Sequence, residues 1–267
     1  MSKIKIIFPP TNEKPFIVIW KPKGLPSAPL HKDDKYNALS QAGELFPDVF
    51  NVKGRKDIEY GLLHRLDNDT DGILVIAVTQ DCYNFLQMEQ KNGNFVKYYS
   101  ALCRLNNNNS EILQGFPHCN IDLSDICVGK RYIISSYFRG FGKGSRAVRP
   151  VTEESGRAAL KKIGKPKIYN TEILVKDIDK NKESCLVQCK ILSGYRHQVR
   201  CHLGWCGLPI INDSIYNSDS IQECEISEFD NTDKKNAENL MKFSATKLEF
   251  EYPRGDLNSY EIALTWT

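Results

Sequence analysis

The strongest constraint on this chain is a succession of short apolar and β-branched runs, each bounded by turn residues. Phe16–Trp20 (FIVIW), Gly72–Val78 (GILVIAV), Phe95–Cys103, Tyr169–Ile178, Cys185–Leu192, Phe243–Tyr252 and Ser259–Trp266 all read as strands. Several alternate apolar with polar residues, which suits a sheet with one covered face. Helical spacing is confined to Asn37–Phe46, Asp81–Asn92 and His197–Trp205. Strands outnumber helices and mostly follow one another. That order predicts an α+β fold with a mixed, largely antiparallel sheet, flanked by helices and loops, and argues against a doubly wound one. At 267 residues the chain can bury a substantial core, and a single domain spanning 1–267 is expected.

Composition enters through charge. There are 36 Lys and Arg against 33 Asp and Glu, a net charge of +3, which by itself does not suggest a nucleic-acid partner. The distribution is uneven. Residues 130–167 hold eleven Lys or Arg against Glu153 and Glu154, so 11 − 2 = +9. Residues 217–239 hold seven acids against Lys234 and Lys235, so 2 − 7 = −5. Gly140, Gly142 and Gly144 suggest that the basic segment is a mobile loop, and the acidic one reads as a surface insertion. Asn106–Asn109 reads as a turn.

No window approaches the roughly 18 apolar residues of a membrane helix. The apolar stretch Ile6–Phe8 is too short for a signal peptide, so a cytoplasmic protein with no membrane partner is expected. The nine cysteines fit this, because none forms a C-x-x-C pair. Cys185 and Cys189 should point to one strand face and behave as small buried hydrophobes. His118, Cys119 and Cys127 lack a fourth ligand at finger-like spacing, so no metal is expected. The fragment GFGKGS lacks the spacing of a phosphate loop, and no cofactor pocket is expected.

Three polar clusters can carry chemistry. HRLDNDTDG, residues 64–72, crowds His64, Arg65, Asp67, Asp69, Thr70 and Asp71 at the mouth of a core strand, where side chains are held rigidly. The same residues are also those of an ordinary turn. GYRHQVRCHLGWCG, residues 194–207, places His197 and Arg200 three apart on a helix, with Leu203 on the same stripe. Arg200 is either a solvated surface cation or the partner of a carboxylate in a cleft, with Asp67 as the candidate. In FVKYYSALC, Lys97, Tyr99 and Ala101 face one way and Tyr98 and Ser100 the other. Adjacent tyrosines are common in sheets, but one at a cleft can stack on a base or move a proton.

These clusters, in this order, resemble the RluA-type pseudouridine synthase family. FIVIWKPKGLPSAP, residues 16–29, is similar to the family's opening strand and Lys-Pro-x-Gly turn. HRLDNDTDGILVIA, residues 64–77, resembles H-R-L-D-x-x-T-S-G, and KYYSAL, residues 97–102, resembles K-x-Y-x-A. GYRHQVRCHLGWCGLPIINDSIY, residues 194–216, resembles G-R-x-H-Q-I-R-x-H-L followed by G-x-P-I-x-G-D-x-x-Y, and FSATKLEFEYP, residues 243–253, resembles the strand after it. The resemblance implies the pseudouridine synthase catalytic fold and an RNA uridine isomerase without a cofactor. Its substrate would be structured ribosomal or transfer RNA, and the enzyme a monomer.

Residue by residue, the resemblance implies that Asp67 is the catalytic aspartate and that Tyr99 stacks on the uracil and takes part in proton removal. Arg200 would pair with the aspartate, and Arg65 would fill the gap left by a flipped nucleotide. Leu203 would form part of the apolar floor, and His64 and His197 would lie at the substrate. The basic segment, with Lys143, Arg146 and Arg149, is expected to bind RNA backbone. The pattern starts at Phe16, so the catalytic domain is expected to find RNA without the N-terminal RNA-binding module that many members carry. Three departures are present: Asp71 where Ser is usual, Tyr195-Arg196-His197 in place of Arg-x-His, and Asn212 in place of Gly. The first two are expected to alter RNA contacts. Other readings are a catalytically silent RNA-binding or assembly protein on the same fold, and a carboxylate hydrolase acting on a glycosidic bond.

Overall fold

The computed structural model describes residues 2–105, 113, 115–163, 166–217 and 240–264, without the side chain of Lys143. The acidic segment 218–239 and the Asn106–Asn109 turn lie outside the described residues. The chain divides into two compact units, Met1–Tyr99 with Ser244–Thr267, and Ser100–Phe243.

The first unit is built on strands β1 (Lys5–Phe8), β2 (Phe16–Lys21), β3 (Asp71–Ala77), the first half of β4 (Val96–Arg104), β9 (Phe243–Glu251) and β10 (Leu257–Glu261). β2 pairs antiparallel with β1 and β3, whereas β3 meets β9 in parallel through Asp71↔Ser244 and Gly72↔Ala245. β9 then pairs antiparallel with β10. All seven residues of β3 are buried, as its unbroken apolar run demands of a strand covered on both faces. β3 and β9 approach so closely that a Cβ on Gly72 would sit 2.2 Å from the Ala245 carbonyl oxygen, and Gly72 has φ 135°. The core gathers Phe16, Val18, Ile73, Val75, Leu86, Phe95, Leu248 and Phe250, with Phe95 and Phe250 stacked at 4.9 Å.

Two helices flank this unit. α1 (Ala38–Leu45) starts where Asn37 accepts a hydrogen bond from the Ser40 amide. α2 (Gln80–Asn92) starts at Thr79, whose hydroxyl accepts from the Cys82 amide, and ends at Gly93 in the left-handed region. Its buried residues Cys82, Tyr83, Leu86 and Glu89 form one stripe.

The second unit contains the rest of β4, then β5 (Arg131–Phe141), β6 (Ala147–Val151), the short α3 (Arg157–Leu160), β7 (Tyr169–Asp179), β8 (Ser184–Ile191) and α4 (Gln198–Trp205). β5 pairs antiparallel with β6 and with β7, and β7 with β8. The core here is Phe138, Val148, Tyr169, Cys201 and Tyr216. The basic segment is therefore not a loop but in large part a hairpin of β5 and β6. Gly140 lies within β5, paired with Val148, and only Gly142 and Gly144 belong to the turn, both at positive φ. Ile134, Ser136 and Phe138 are buried while Arg131, Ile133 and Ser135 are exposed, so alternation outweighs the charge count. Cys185 and Cys189 lie on one buried face of β8, as expected. Among the described residues, no helix is long and apolar enough to cross a membrane.

Candidate functional site

The segment carrying Asp67 is fastened to the Lys-Pro-x-Gly turn. The Ser27 hydroxyl donates to the Leu66 carbonyl at 2.8 Å and accepts from the Leu66 amide at 2.9 Å. The Gly24 amide donates to the Asn68 carbonyl at 2.7 Å. Lys21 is fully buried, and its Nζ donates to the carbonyls of Leu25 (2.7 Å), Pro22 (2.9 Å) and Asn68 (3.4 Å). Burial lowers its pKa to about 8, against the opposing pull of Asp71, Asp67 and Asp69. Asp67, half-buried, thus sits between two carbonyl groups bonded to the 21–27 turn. A missing or misplaced turn would leave buried backbone groups unpaired. Sequence reasoning noted the turn only as part of a resemblance. The signal for Lys21 was a lysine ending an apolar strand.

The remaining residues of the cluster diverge. Asp71 is 2% exposed, and its Oδ1 accepts from the Ser244 hydroxyl at 2.6 Å and pairs with Lys23 at 3.3 Å. This carboxylate therefore fastens β3 to β9, a correction to the expectation that it alters RNA contacts. Arg65 is exposed and pairs with the buried Glu59 at 3.2 Å. His64 lies edge-on to Phe95 at 5.6 Å, with both ring nitrogens covered and unbonded. Burial and the neighbouring Lys97 hold its pKa well below the usual value, so the ring is neutral.

On β4, Lys97, Tyr99, Ala101 and Cys103 share the buried face, as the alternation predicts. Lys97 is 7% exposed, lies over the Phe95 ring at 5.5 Å, and has a pKa lowered to about 8 by burial, then by Arg55. Tyr98, on the other face, donates to Glu249 at 2.7 Å.

In the second unit, α4 begins at His197, which caps it in a left-handed conformation (φ 55°) and so is not a helical face-mate of Arg200. Its Nδ1 lies 3.1 Å from the Tyr216 hydroxyl, which also accepts from the Val148 amide at 2.9 Å. Arg200 is buried and bonds Asp213 through Nε and Nη2, each at 2.8 Å, with its guanidinium 5.6 Å from the Tyr216 ring centre. Asp213 is thus a partner that the residue pattern alone did not assign to Arg200. Leu203 is fully buried. Asn212 has φ 63°, a conformation that Gly tolerates best and Asn next, which accounts for that departure. His202 is also fully buried, between Ser136 (2.9 Å) and Thr171 (2.8 Å), and burial lowers its pKa to about 3. Both of its nitrogens are committed to the core.

Of the expected RNA-binding residues, Arg146 is exposed. Arg149 lies 3.2 Å from the Phe141 ring centre and donates to the Gly115 carbonyl, which ties it to the hairpin. The side chain of Lys143 lies outside the described residues. Arg196 donates to the carbonyls of Ser145 and Ala147, bracing the same turn. No three His, Cys, Asp or Glu side chains converge as metal ligands among the described residues.

Residues 15–205 match the sequence family described as RNA pseudouridylate synthase. An uncharacterised RNA pseudouridine synthase of Zymomonas mobilis is 30% identical over 203 residues, 76% of this chain and 74% of that protein. An uncharacterised RNA pseudouridine synthase of Mycoplasma pneumoniae is 25% identical over 218 residues, 82% of this chain but 58% of its own length. The chain thus spans little more than half of that relative. In fold it is similar to human RNA pseudouridylate synthase domain containing 1, with a TM-score of 0.59 at 19% identity, covering 98% of this chain and 84% of that one. On the family match, which spans Asp67, Tyr99 and Arg200, the chain belongs to the RNA pseudouridylate synthases.

Proposed function

We propose that this protein isomerises uridine to pseudouridine in ribosomal or transfer RNA, with Asp67 as the catalytic carboxylate. The observation that carries the reading is the fastening of residues 66–68 to the 21–27 turn, which holds one carboxylate in a fixed place in the segment just before β3. The reaction breaks the N1–C1′ bond, turns the base and rejoins it through C5. It is an isomerisation and consumes no electron donor or energy source.

Asp67 either attacks C1′ or removes the C2′ proton. Both routes need it ionised once water is excluded. Lys21, on the same turn, lies within electrostatic reach of Asp67. Tyr99 stacks on the uracil and takes part in removing the C5 proton, and Arg65 fills the space of the flipped nucleotide; Leu203, fully buried, offers the base no surface. His64, held neutral, and His197 lie toward the substrate. Arg146 and the rest of the β5–β6 hairpin supply backbone affinity.

The test is RNA labelled with tritium at C5 of uridine, taken from cells lacking the gene. Tritium release by the wild-type protein and none by Asp67→Ala is expected. Release that persists in the variant overturns the assignment of Asp67. Free uracil as the product would show a glycosidic hydrolase instead.

A further inference from the structure

The connection from α1 to the catalytic segment carries a basic cluster unused by the chemistry above. Lys53, Arg55 and Lys56 are all exposed, and none is ion-paired among the described residues. From Lys53 to Leu66 the chain holds four Lys or Arg against Asp57 and Glu59, so 4 − 2 = +2. Glu59 is itself buried against Arg65, leaving Asp57 as the one exposed acid within that segment.

A solvated basic loop is usually loose, and this one is built. The Lys53 amide donates to Gln80 at 2.8 Å, and Gln80 donates back to the Lys53 carbonyl at 3.4 Å. The Glu59 amide donates to the Lys56 carbonyl at 2.9 Å, and Tyr60 packs edge-on to Phe50 at 5.1 Å. Gly54 leaves no room for a side chain, since a Cβ would lie 2.2 Å from the Tyr60 carbonyl oxygen. Ordering a chain carries an entropic cost, and here it orders the backbone that carries three like charges within four residues. Such an arrangement is unfavourable unless a polyanion meets it.

The loop's position identifies that polyanion. Glu59 joins it to Arg65, and Arg65 is two residues from Asp67, about 7 Å of chain at most. We infer that Lys53, Arg55 and Lys56 form a preorganised phosphate-binding surface for the RNA strand next to the target uridine. The inference rests on the proposed function and adds an RNA contact separate from the β5–β6 hairpin.

The experiment measures binding of a 5′-fluorescein-labelled U20 oligonucleotide by anisotropy, from 50 to 300 mM KCl. The proteins are wild type, the triple variant Lys53→Gln, Arg55→Gln, Lys56→Gln, and the charge-retaining triple Lys53→Arg, Arg55→Lys, Lys56→Arg. None of these side chains anchors the loop, so equal melting temperatures are expected. The neutral variant should bind about tenfold or more weakly, and its salt slope should be shallower by about 2, as three lost single-strand phosphate contacts require. The charge-retaining variant should bind as wild type does. Equal affinity and slope in the neutral variant, or no binding of the oligonucleotide by wild type, overturns the inference. Tritium release by the same proteins separates the two readings. Wild-type turnover with unchanged slopes sinks the loop alone, and absent turnover with altered slopes sinks the isomerase reading alone.

Discussion

Arg200 and Asp213 form a two-point ion pair inside the second unit, Nε and Nη2 each 2.8 Å from a carboxylate oxygen, with both side chains almost fully buried. Asp213 also accepts from the amides of Ile215 and Tyr216, so one carboxylate orients the arginine and shapes the turn after it. A guanidinium held by two bonds cannot swing as a lysine would, and its remaining donor edge has a fixed direction.

Breaking that pair strips a buried guanidinium of its two-point carboxylate partner. Asp213→Ala is expected to lower stability by about 3–5 kcal/mol, read as a reduced midpoint in urea unfolding with little change in slope. Asp213→Asn, which keeps the acceptor for the Ile215 and Tyr216 amides, should lose less. Equal stability of Asp213→Ala and wild type would show that the pair contributes nothing.

Tyr216 offers a subtler test. Its hydroxyl is the acceptor for the buried Val148 amide of the hairpin and the neighbour of His197 at the helix start. Burial raises its pKa, so the hydroxyl stays protonated. Tyr216→Phe keeps the ring and orphans the amide, and should cost about 1–3 kcal/mol. Hydrogen exchange at Val148 should speed up relative to the other β6 amides.

Lys97 gives a pH signature. Its folded pKa is about 8 against 10.5 for a free lysine. Between these values the unfolded chain binds the extra proton, so this residue's contribution to stability rises with pH there. Below about 8 the folded protein carries a buried ammonium at a constant cost. Lys97→Met should therefore be more stable than wild type at pH 7 by a few kcal/mol, and the gap should close as pH rises from about 8 to 10.5. A gap independent of pH would contradict the burial of a charged lysine.

Gly72 is the tightest point of the first unit. Gly72→Ala would drive a methyl group into the Ala245 carbonyl and impose an unfavourable φ. At least about 3 kcal/mol should be lost, as steric overlap and backbone strain add. Circular dichroism during guanidinium titration would report it.

Much of this was legible in the residues. The period-2 alternation of FVKYYSALC fixes the common face of Lys97 and Tyr99, because successive strand side chains must alternate. The unbroken run GILVIAV can only be a strand buried on both sides. The β5–β6 hairpin was hidden because both faces of RYIISSYFRGF carry apolar residues, and the glycines of its turn outweighed that pattern. His197 reads as helical by spacing, but its φ of 55° ends that face one residue early. The ordering of the Lys53–Lys56 loop could not be read, since it comes from Gln80 and Tyr60, neither of which a charge count sees. The role of Asp71 could not be read, because Ser244 is 173 residues away in sequence.

The pairing of Ser27 with Leu66 has a consequence for how the chain can change. One hydroxyl both gives and takes a hydrogen bond with a single backbone residue 39 positions away, as a neighbouring strand would. The placement of residues 66–68 is therefore independent of the length of chain between the two. Residues can be added to or removed from the exposed stretch around Lys32 without shifting Asp67, because loop closure costs little more as a loop grows. That stretch can thus be lengthened, shortened or recharged while the Asp67 carboxylate keeps its address.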